Sequence, residues 1–341
     1  MKAIVRVGKG PREVELRDVD YPKPKPGWVT VAVKACGICG SDLHMYLGEW
    51  IGPESPILGH EFSGEVVEVG KGVENFVKGD RVACMPKMSC GKCYYCKSGK
   101  PFLCENEPLL NGAMAEYVAA PEYTLFNLPK EVTYEEGALL EPLAVAVSAV
   151  YETSHVRPGQ TIVIIGPGPI GLLTLVSAKL SNPEISIVSG TSEDKFRLQM
   201  AEKLGANVVI NVNEEDPVRK VKELTEGLGA DIVYECAGAG LLDQTVEMLR
   251  SEGELVAVGH PAAKAQIKFS PTGFLNAQFK RLKIFGHIIY SWEAYRLGLQ
   301  LVKHKIINLK PFITHMVPLS DAAKGFELAL KKETIKVLII P

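Results

Sequence analysis

No stretch of this 341-residue chain reaches the roughly 18 consecutive apolar residues that a membrane-spanning helix needs, which excludes helical membrane insertion. Charge of one sign is equally lacking: 38 basic side chains face 40 acidic ones, a balance of −2. That leaves no electrostatic footprint for nucleic acid or a membrane surface as partner. Internal repeats and low-complexity tracts are absent. The opening residues, Met1 to Gly8, alternate like a strand and lack the long apolar stretch of a secretory leader, so the expected location is the cytoplasm. What is present is a 46% hydrophobic chain, long enough for two domains that each bury a core.

The first third reads as β-structure. Val29, Val31, Val33 and Ala35 alternate with Thr30, Ala32 and Lys34, the period-two mark of a half-buried strand. Similar runs fall at 2–7, 13–19, 61–69, 80–85 and 114–119, separated by Gly and Pro clusters, and this predicts a barrel-like all-β unit. Pro22, Pro24 and Pro26 preclude regular structure just before Val29. Near residue 142 the character changes. Short apolar runs at Thr161–Ile165, Ile185–Ser189, Asn207–Ile210, Asp231–Glu235, Glu254–Val258 and Arg281–Phe285 follow one another. Helically spaced segments separate the first five, with Leu198, Ala201 and Leu204 in one and Leu241, Val246 and Leu249 in another. Nearly continuous Val/Ile runs are strands buried on both faces of a parallel sheet, and six with this rhythm predict a doubly wound nucleotide-binding domain. After about residue 290 come a helix at 292–304, a proline-marked turn, a helix at 320–331 and a final strand, which are expected to rejoin the β-rich domain.

The eight cysteines suit a disulfide framework only in a short secreted chain. Cys90, Cys93, Cys96 and Cys104 instead match a tetrahedral all-thiolate zinc site, closed to substrate and therefore structural. Bridges between residues three apart would be strained. Magnitudes agree, since apparent zinc binding of about 10–16 kcal/mol exceeds the roughly 2–4 kcal/mol of a disulfide. Cys36, Cys84 and Cys236 read as small buried hydrophobes. Cys36 and Cys39 form a C-x-x-C pair, but their surroundings argue against a redox dithiol.

A dinucleotide signal lies at Gly166-Pro-Gly168-Pro169-Ile170-Gly171, directly after an apolar strand and before a helix. The first glycine makes the tight turn, the second lets backbone approach a pyrophosphate, and the third lets helix pack on strand. The helix N-terminus then offers N–H groups and partial positive charge to phosphates. NAD binding usually places an acid at the end of the second strand. Here that strand runs into Gly190-Thr191-Ser192, and Lys195 and Arg197 follow the first carboxylates, Glu193 and Asp194. Hydroxyls and cations without that acid favour the 2′-phosphate of NADP, although solvated first-turn residues would look the same. Cys236-Ala237, Gly259-His260 and His287-Ile288 end later strands on the ligand side of such a sheet, where their backbone would line the nicotinamide half.

A second metal constellation is scattered. Gly37-Ile-Cys39-Gly-Ser41-Asp42-Leu-His44 and Gly59-His60-Glu61 bring a thiol, a hydroxyl, two imidazoles and two carboxylates onto turns, and Glu141 stands in an apolar stretch where a carboxylate is costly unless paired or metal-bound. Together with Gly79-Asp-Arg-Val, Ala115-Glu-Tyr-Val, the four-cysteine loop and the glycine motif, this series resembles the medium-chain, zinc-dependent alcohol dehydrogenase family, and most nearly its sorbitol (polyol) dehydrogenase branch. The resemblance runs the whole length in order. It implies an α/β fold: a GroES-like β-barrel catalytic domain over 1–145 and 290–341, plus a Rossmann doubly wound parallel sheet over 146–289.

The resemblance further implies Cys39 and His60 as catalytic zinc ligands, Glu61 as a ligand or alternate ligand, and Glu141 as a ligand or the holder of zinc-bound water. With one glutamate the zinc site sums to zero charge; with both it becomes −1, so the two are expected to exchange. Ser41 would accept the alcohol proton and pass it through the nicotinamide ribose to His44 and solvent, while Asp42 would orient His60. Ser41, Tyr46, Trp50, Phe102 and Tyr290 would line the substrate pocket. The cofactors implied are two zinc ions per chain and NAD(P), and the partners a small alcohol or polyol and further copies of the chain, as a homodimer or homotetramer. Two departures from the family pattern stand out: a short loop between Cys104 and Ala115, and the missing acid after the second Rossmann strand. Other readings of the scaffold are a zinc-independent quinone or enone reductase, which lacks the Cys39/His60/Glu141 set, and a non-catalytic dinucleotide sensor, which would have a broken site.

Overall fold

Alternating apolar residues in the first third form strands in the structure, a computed structural model that describes residues 1–49, 56–108, 110, 112–240, 242–261, 267 and 269–341. β1 (Lys2–Arg6) and β2 (Val14–Asp18) pair antiparallel as a separate ribbon. β3 (Trp28–Gly37), β4 (Glu61–Val69), β5 (Arg81–Cys84), β6 (Tyr117–Pro121) and β7 (Leu125–Asn127) follow. Next come β8 (Thr161–Ile165), β9 (Ile185–Gly190), β10 (Val208–Asn211), β11 (Ala230–Glu235), β12 (Leu249–Ala257) and β13 (Lys283–Gly286), then β14 (Ile313–Pro318) and β15 (Lys336–Ile340).

The chain divides into two compact units, Met1–Ala144 with Ser291–Pro341, and Val145–Tyr290. In the first, a sheet runs β14-β15-β3-β4-β5-β7, and β6 pairs with β3 off this path. Its core gathers Val29, Val31, Phe62, Val66, Val82 and Val118, and the C-terminal Phe326, Val337 and Ile339 complete it. The closing strand therefore belongs to the same core as the opening third. In the second unit six parallel strands run β10-β9-β8-β11-β12-β13, the order of a doubly wound nucleotide-binding sheet. Ile162, Val163 and Ile164 of β8 are fully buried, as a strand covered on both faces requires.

Several expectations are corrected. The 114–119 run is a strand only from Tyr117, with Ala115 contributing one isolated bridge to Ala3. Leu249 opens β12 rather than continuing a helix, and Leu241 lies outside the described residues. Two helices were not expected: Tyr134–Ala138, whose Thr133-x-x-Glu136 capping box marks its start, and Leu140–Ser148, where Leu140, Leu143, Ala144, Ala146 and Val147 are all buried and leave no polar face to set a period. β14 stands where a turn is expected; only Val317 in it is buried, so apolar and polar residues do not alternate cleanly. Among the described residues no helix is long and apolar enough to cross a membrane.

Candidate active site and metal centres

Strand register creates the first site. β3 and β4 pair antiparallel with Gly37 opposite Glu61, so the turn leaving β3 lies beside the residues entering β4. Cys39 and His60, 21 positions apart, become neighbours this way. The donor atoms of Cys39, His60 and Glu61 all lie within 4.8 Å of one another. Gly37 is required here: a Cβ would sit 2.0 Å from Glu61 Oε2. Gly59, at φ +87°, takes a left-handed turn with Cys36 Sγ 2.6 Å from where its Cβ would be.

The residues from Gly40 to Tyr46 form a short helix, not the turn expected from their glycines. Cys39 is its N-cap, and fully buried Asp42 accepts the Cys39 N–H at 2.9 Å and the Gly59 N–H at 3.1 Å. One carboxylate thus ties the two ligand-bearing turns together. It also stands 4.0 Å from His60 Nδ1, close enough for its charge to act on the ring. Burial opposes a charge on His60, but Cys39, Asp42 and Glu141 outweigh it and hold the imidazole pKa well above its ordinary value. A field that attracts a proton this strongly also suits a divalent cation.

Sequence reasoning missed Lys336. β15 pairs with β3 and delivers this lysine, 4% exposed, onto the site. Its Nζ donates to both Glu61 oxygens at 2.7 and 2.8 Å and to the Ile38 carbonyl at 3.0 Å. The available signal was a single lysine heading the otherwise apolar run Val337–Ile340. Glu61 is therefore already neutralised by a partner, which favours its role as an alternate rather than a resident ligand. Glu141 is buried in the first turn of Leu140–Ser148 and stands outside the 4.8 Å group, though its charge reaches His60. Ser41 and His44 share one face of their helix by i,i+3 spacing. Tyr46 does not line a substrate pocket: it is 3% exposed, stacks on Phe326 at 4.7 Å and donates to Glu327 at 2.8 Å. Trp50 lies outside the described residues.

The second site is local. Cys90, Cys93, Cys96 and Cys104 bring their sulfurs within 4.8 Å of one another. Sulfur–sulfur distances of 3.5 Å (Cys93–Cys96), 3.9 Å (Cys93–Cys104) and 4.0 Å (Cys90–Cys96) bracket the roughly 3.8 Å edge of a tetrahedron with 2.3 Å zinc–sulfur bonds. The N–H groups of Lys92 and Cys93 point at Cys90 Sγ, at 3.4 Å each, as thiolates require. Backbone N–H groups likewise bring Cys93 down to about 6. Of the remaining cysteines, Cys36 and Cys84 are fully buried, and burial pushes the Cys84 thiol up to about 12.

The second unit carries the glycine motif where β8 meets the helix Pro169–Lys179. Gly166 is at φ +93°, and Gly171 has no room for a side chain, since a Cβ would lie 2.0 Å from the Gly166 carbonyl. Beside Gly168 nothing stands within 4 Å of a Cβ position. Two glycines are thus demanded by the fold, while the middle one faces open space at a helix N-terminus, the cradle a pyrophosphate fills. After β9, the Asp194 carboxylate turns inward to accept the Thr191 N–H and hydroxyl at 3.1 and 2.8 Å, with Arg197 Nη1 3.8 Å away. Ser192 and Lys195 are exposed and Gly190 is buried. His287 spends both ring nitrogens inside the unit, on Thr153 Oγ1 at 2.9 Å and the Val145 carbonyl at 3.1 Å, so only its backbone is left for a ligand. Cys236 is half-buried, Gly259 packs against Gly238, and Ala237, His260 and Ile288 are exposed.

Residues 25–130 match the alcohol dehydrogenase GroES-like domain, and residues 169–304 match the zinc-binding dehydrogenase domain. Sorbitol dehydrogenase of Halalkalibacterium halodurans is 37% identical, covering 100% of this chain and 99% of its own. D-arabitol-phosphate dehydrogenase of Enterococcus avium is 35% identical over 99% and 97% of the two chains. A zinc-binding dehydrogenase from Sinorhizobium meliloti, solved bound to NADP, superposes with a TM-score of 0.89 at 31% identity, covering 100% of this chain and 99% of that one. The chain belongs to the zinc-binding alcohol dehydrogenase family.

As a family member the protein is an oxidoreductase of the zinc- and NAD(P)-dependent kind. A zinc-binding dehydrogenase needs a mixed-donor site with an open position and a cradle for a dinucleotide. The Cys39/His60/Glu61 group and the Gly168 cradle fit both requirements.

Proposed function

We propose that this dehydrogenase moves a hydride between NADP and a secondary hydroxyl of a polyol or sugar-like substrate, with Cys39 and His60 as catalytic zinc ligands and the four-cysteine loop as the structural zinc site. The observation that carries the reading is the convergence of Cys39, His60 and Glu61 within 4.8 Å. The polyol assignment draws on the sorbitol and arabitol-phosphate dehydrogenases, whose named substrates bear adjacent hydroxyls. Exposed Ser192 and Lys195, with Asp194 turned inward, support NADP.

When bound, zinc supplies the positive charge that makes a hydroxyl acidic near neutral pH, and the nicotinamide accepts the hydride. The chain's own residues handle the rest. Asp42 fixes His60 and the Cys39 turn so that the ligands meet in one geometry. Lys336 holds Glu61 back, keeping a position open for substrate. Ser41 takes up the hydroxyl proton, and His44 on the same helix face, its side chain 22% exposed, returns it to solvent. Unit Met1–Ala144 with Ser291–Pro341 is the catalytic domain in this reading, and Val145–Tyr290 the dinucleotide domain. A homodimer or homotetramer in the cytoplasm completes it, with the sheet edge β13, where Ile284 is exposed, as the pairing edge.

The test is a panel of polyols and secondary alcohols with NADP and NAD, read by absorbance of the reduced dinucleotide, with zinc counted per chain. Polyol oxidation favouring NADP, with about two zinc ions per chain, is expected. Persistent turnover in protein that holds only the four-thiolate zinc would refute the assignment.

A further inference from the structure

Glu235 is a buried carboxylate that neither metal centre uses. It ends β11, beside β8 in the middle of the parallel sheet, and is 4% exposed. Its side chain accepts three successive backbone N–H groups, from Ala237 at 3.0 Å, Gly238 at 3.2 Å and Ala239 at 3.4 Å. Its own carbonyl accepts the N–H of Val258 at 2.9 Å and of Gly259 at 2.7 Å. No cationic side chain is among its partners in the described residues. A buried anion met only by N–H groups is costly, and it persists where those groups leave no alternative acceptor.

The loop it holds has no slack. Gly238 is at φ +64°, and a Cβ there would lie 2.5 Å from the His260 carbonyl. A Cβ on Gly259 would lie 2.2 Å from Gly238 N. Ala237 stands 2.9 to 3.0 Å from the Cβ position of Gly166, the first glycine of the phosphate-binding turn. The loop after β11 therefore lies directly against that turn.

We propose that Glu235 is a positioning residue for dinucleotide binding, gathering the 237–239 N–H groups inward so that the loop after β11 braces the Gly166 turn in its binding geometry. This rests on the reading of Val145–Tyr290 as the dinucleotide domain. A glutamine keeps one acceptor oxygen but sets an NH2 group against a backbone N–H that the carboxylate had accepted, so the three-fold grip is broken and the brace loosens. The experiment titrates zinc-loaded wild type, Glu235→Gln and Gly238→Ala with NADPH, followed by nicotinamide fluorescence, alongside thermal melts without dinucleotide and a separation of KM from kcat. Glu235→Gln is expected to weaken NADPH binding by about tenfold or more and to raise the dinucleotide KM with little change in kcat. Gly238→Ala, which displaces the same loop from its other side, is expected to do likewise. A folded Glu235→Gln protein that melts lower yet binds NADPH within twofold of wild type overturns the proposal. Should Glu235→Gln not fold, unchanged affinity in Gly238→Ala overturns it instead. Wild type that binds neither NADPH nor NADH overturns both the proposal and the cofactor reading beneath it.

Discussion

Replacing Lys336 by methionine probes whether the Lys336–Glu61 pair holds Glu61 away from the proposed catalytic zinc. At 2.7 Å and an effective dielectric near 20, the Lys336–Glu61 attraction is roughly 6 kcal/mol. Part of that offsets the cost of burying both charges, and removing one partner of such a pair costs about 3–5 kcal/mol. For a domain of this size that corresponds to a drop in Tm of about 6–20 °C. Metal changes the sum. With zinc bound, the freed carboxylate lies near enough to Cys39 and His60 to find a cation in the ion itself. The loss relative to wild type should then shrink to less than half, while turnover falls because the position kept for substrate is taken. Melting curves of Lys336→Met and wild type, zinc-loaded and after mild chelation to one zinc per chain, make the comparison. Equal drops in Tm in the two metal states would show that Glu61 does not reach the metal, and the reasoning would fail.

Further outcomes follow from the same geometry. Cys39→Ser should abolish turnover while about one zinc per chain, the four-thiolate one, survives metal analysis; a fully active variant would remove Cys39 from the catalytic site. Gly168→Ala and Gly171→Ala should separate cofactor binding from folding. The first, facing open space, should leave the melt unchanged and raise the dinucleotide KM, whereas the second, with a Cβ 2.0 Å from the Gly166 carbonyl, should lose about 1–3 kcal/mol of stability. Lys195→Ala should raise the KM for NADP several-fold more than that for NAD, since a 2′-phosphate is the group its charge would meet; equal effects would count against NADP. Asp42→Asn should keep most of the fold but weaken zinc retention by about 10- to 100-fold, as losses of residues that orient a ligand do, measured by competition with a chelator.

The four-cysteine loop and the glycine motif were fully legible in the sequence. Each is a local object, with its donors or its turn contained in a few residues, so spacing alone specifies what the backbone must do. The parallel sheet was legible for a related reason: strands buried on both faces are written as unbroken apolar runs such as Thr161–Ile165. Cys39 and His60 were legible as neighbours only through the family resemblance, since their spacing of 21 positions carries no local pattern. Tyr46 was misread because its sequence position beside the site says nothing of direction, and packing on Phe326 turned it into the core.

By itself, then, the sequence carried the rhythm of the parallel sheet, the clustering of four cysteines and the glycine turn in short-range spacing, and the family in a series of motifs along its whole length. Tertiary structure decided the rest: that β15 returns from the far end of the chain to set Lys336 on Glu61, that Asp42 ties two turns together, and that Glu235 holds a loop rather than a ligand. Those pairings join residues whose separation along the chain carries no pattern. They exist because strand register and burial force each lone charged group to find a partner, and only the folded molecule says which one is within reach.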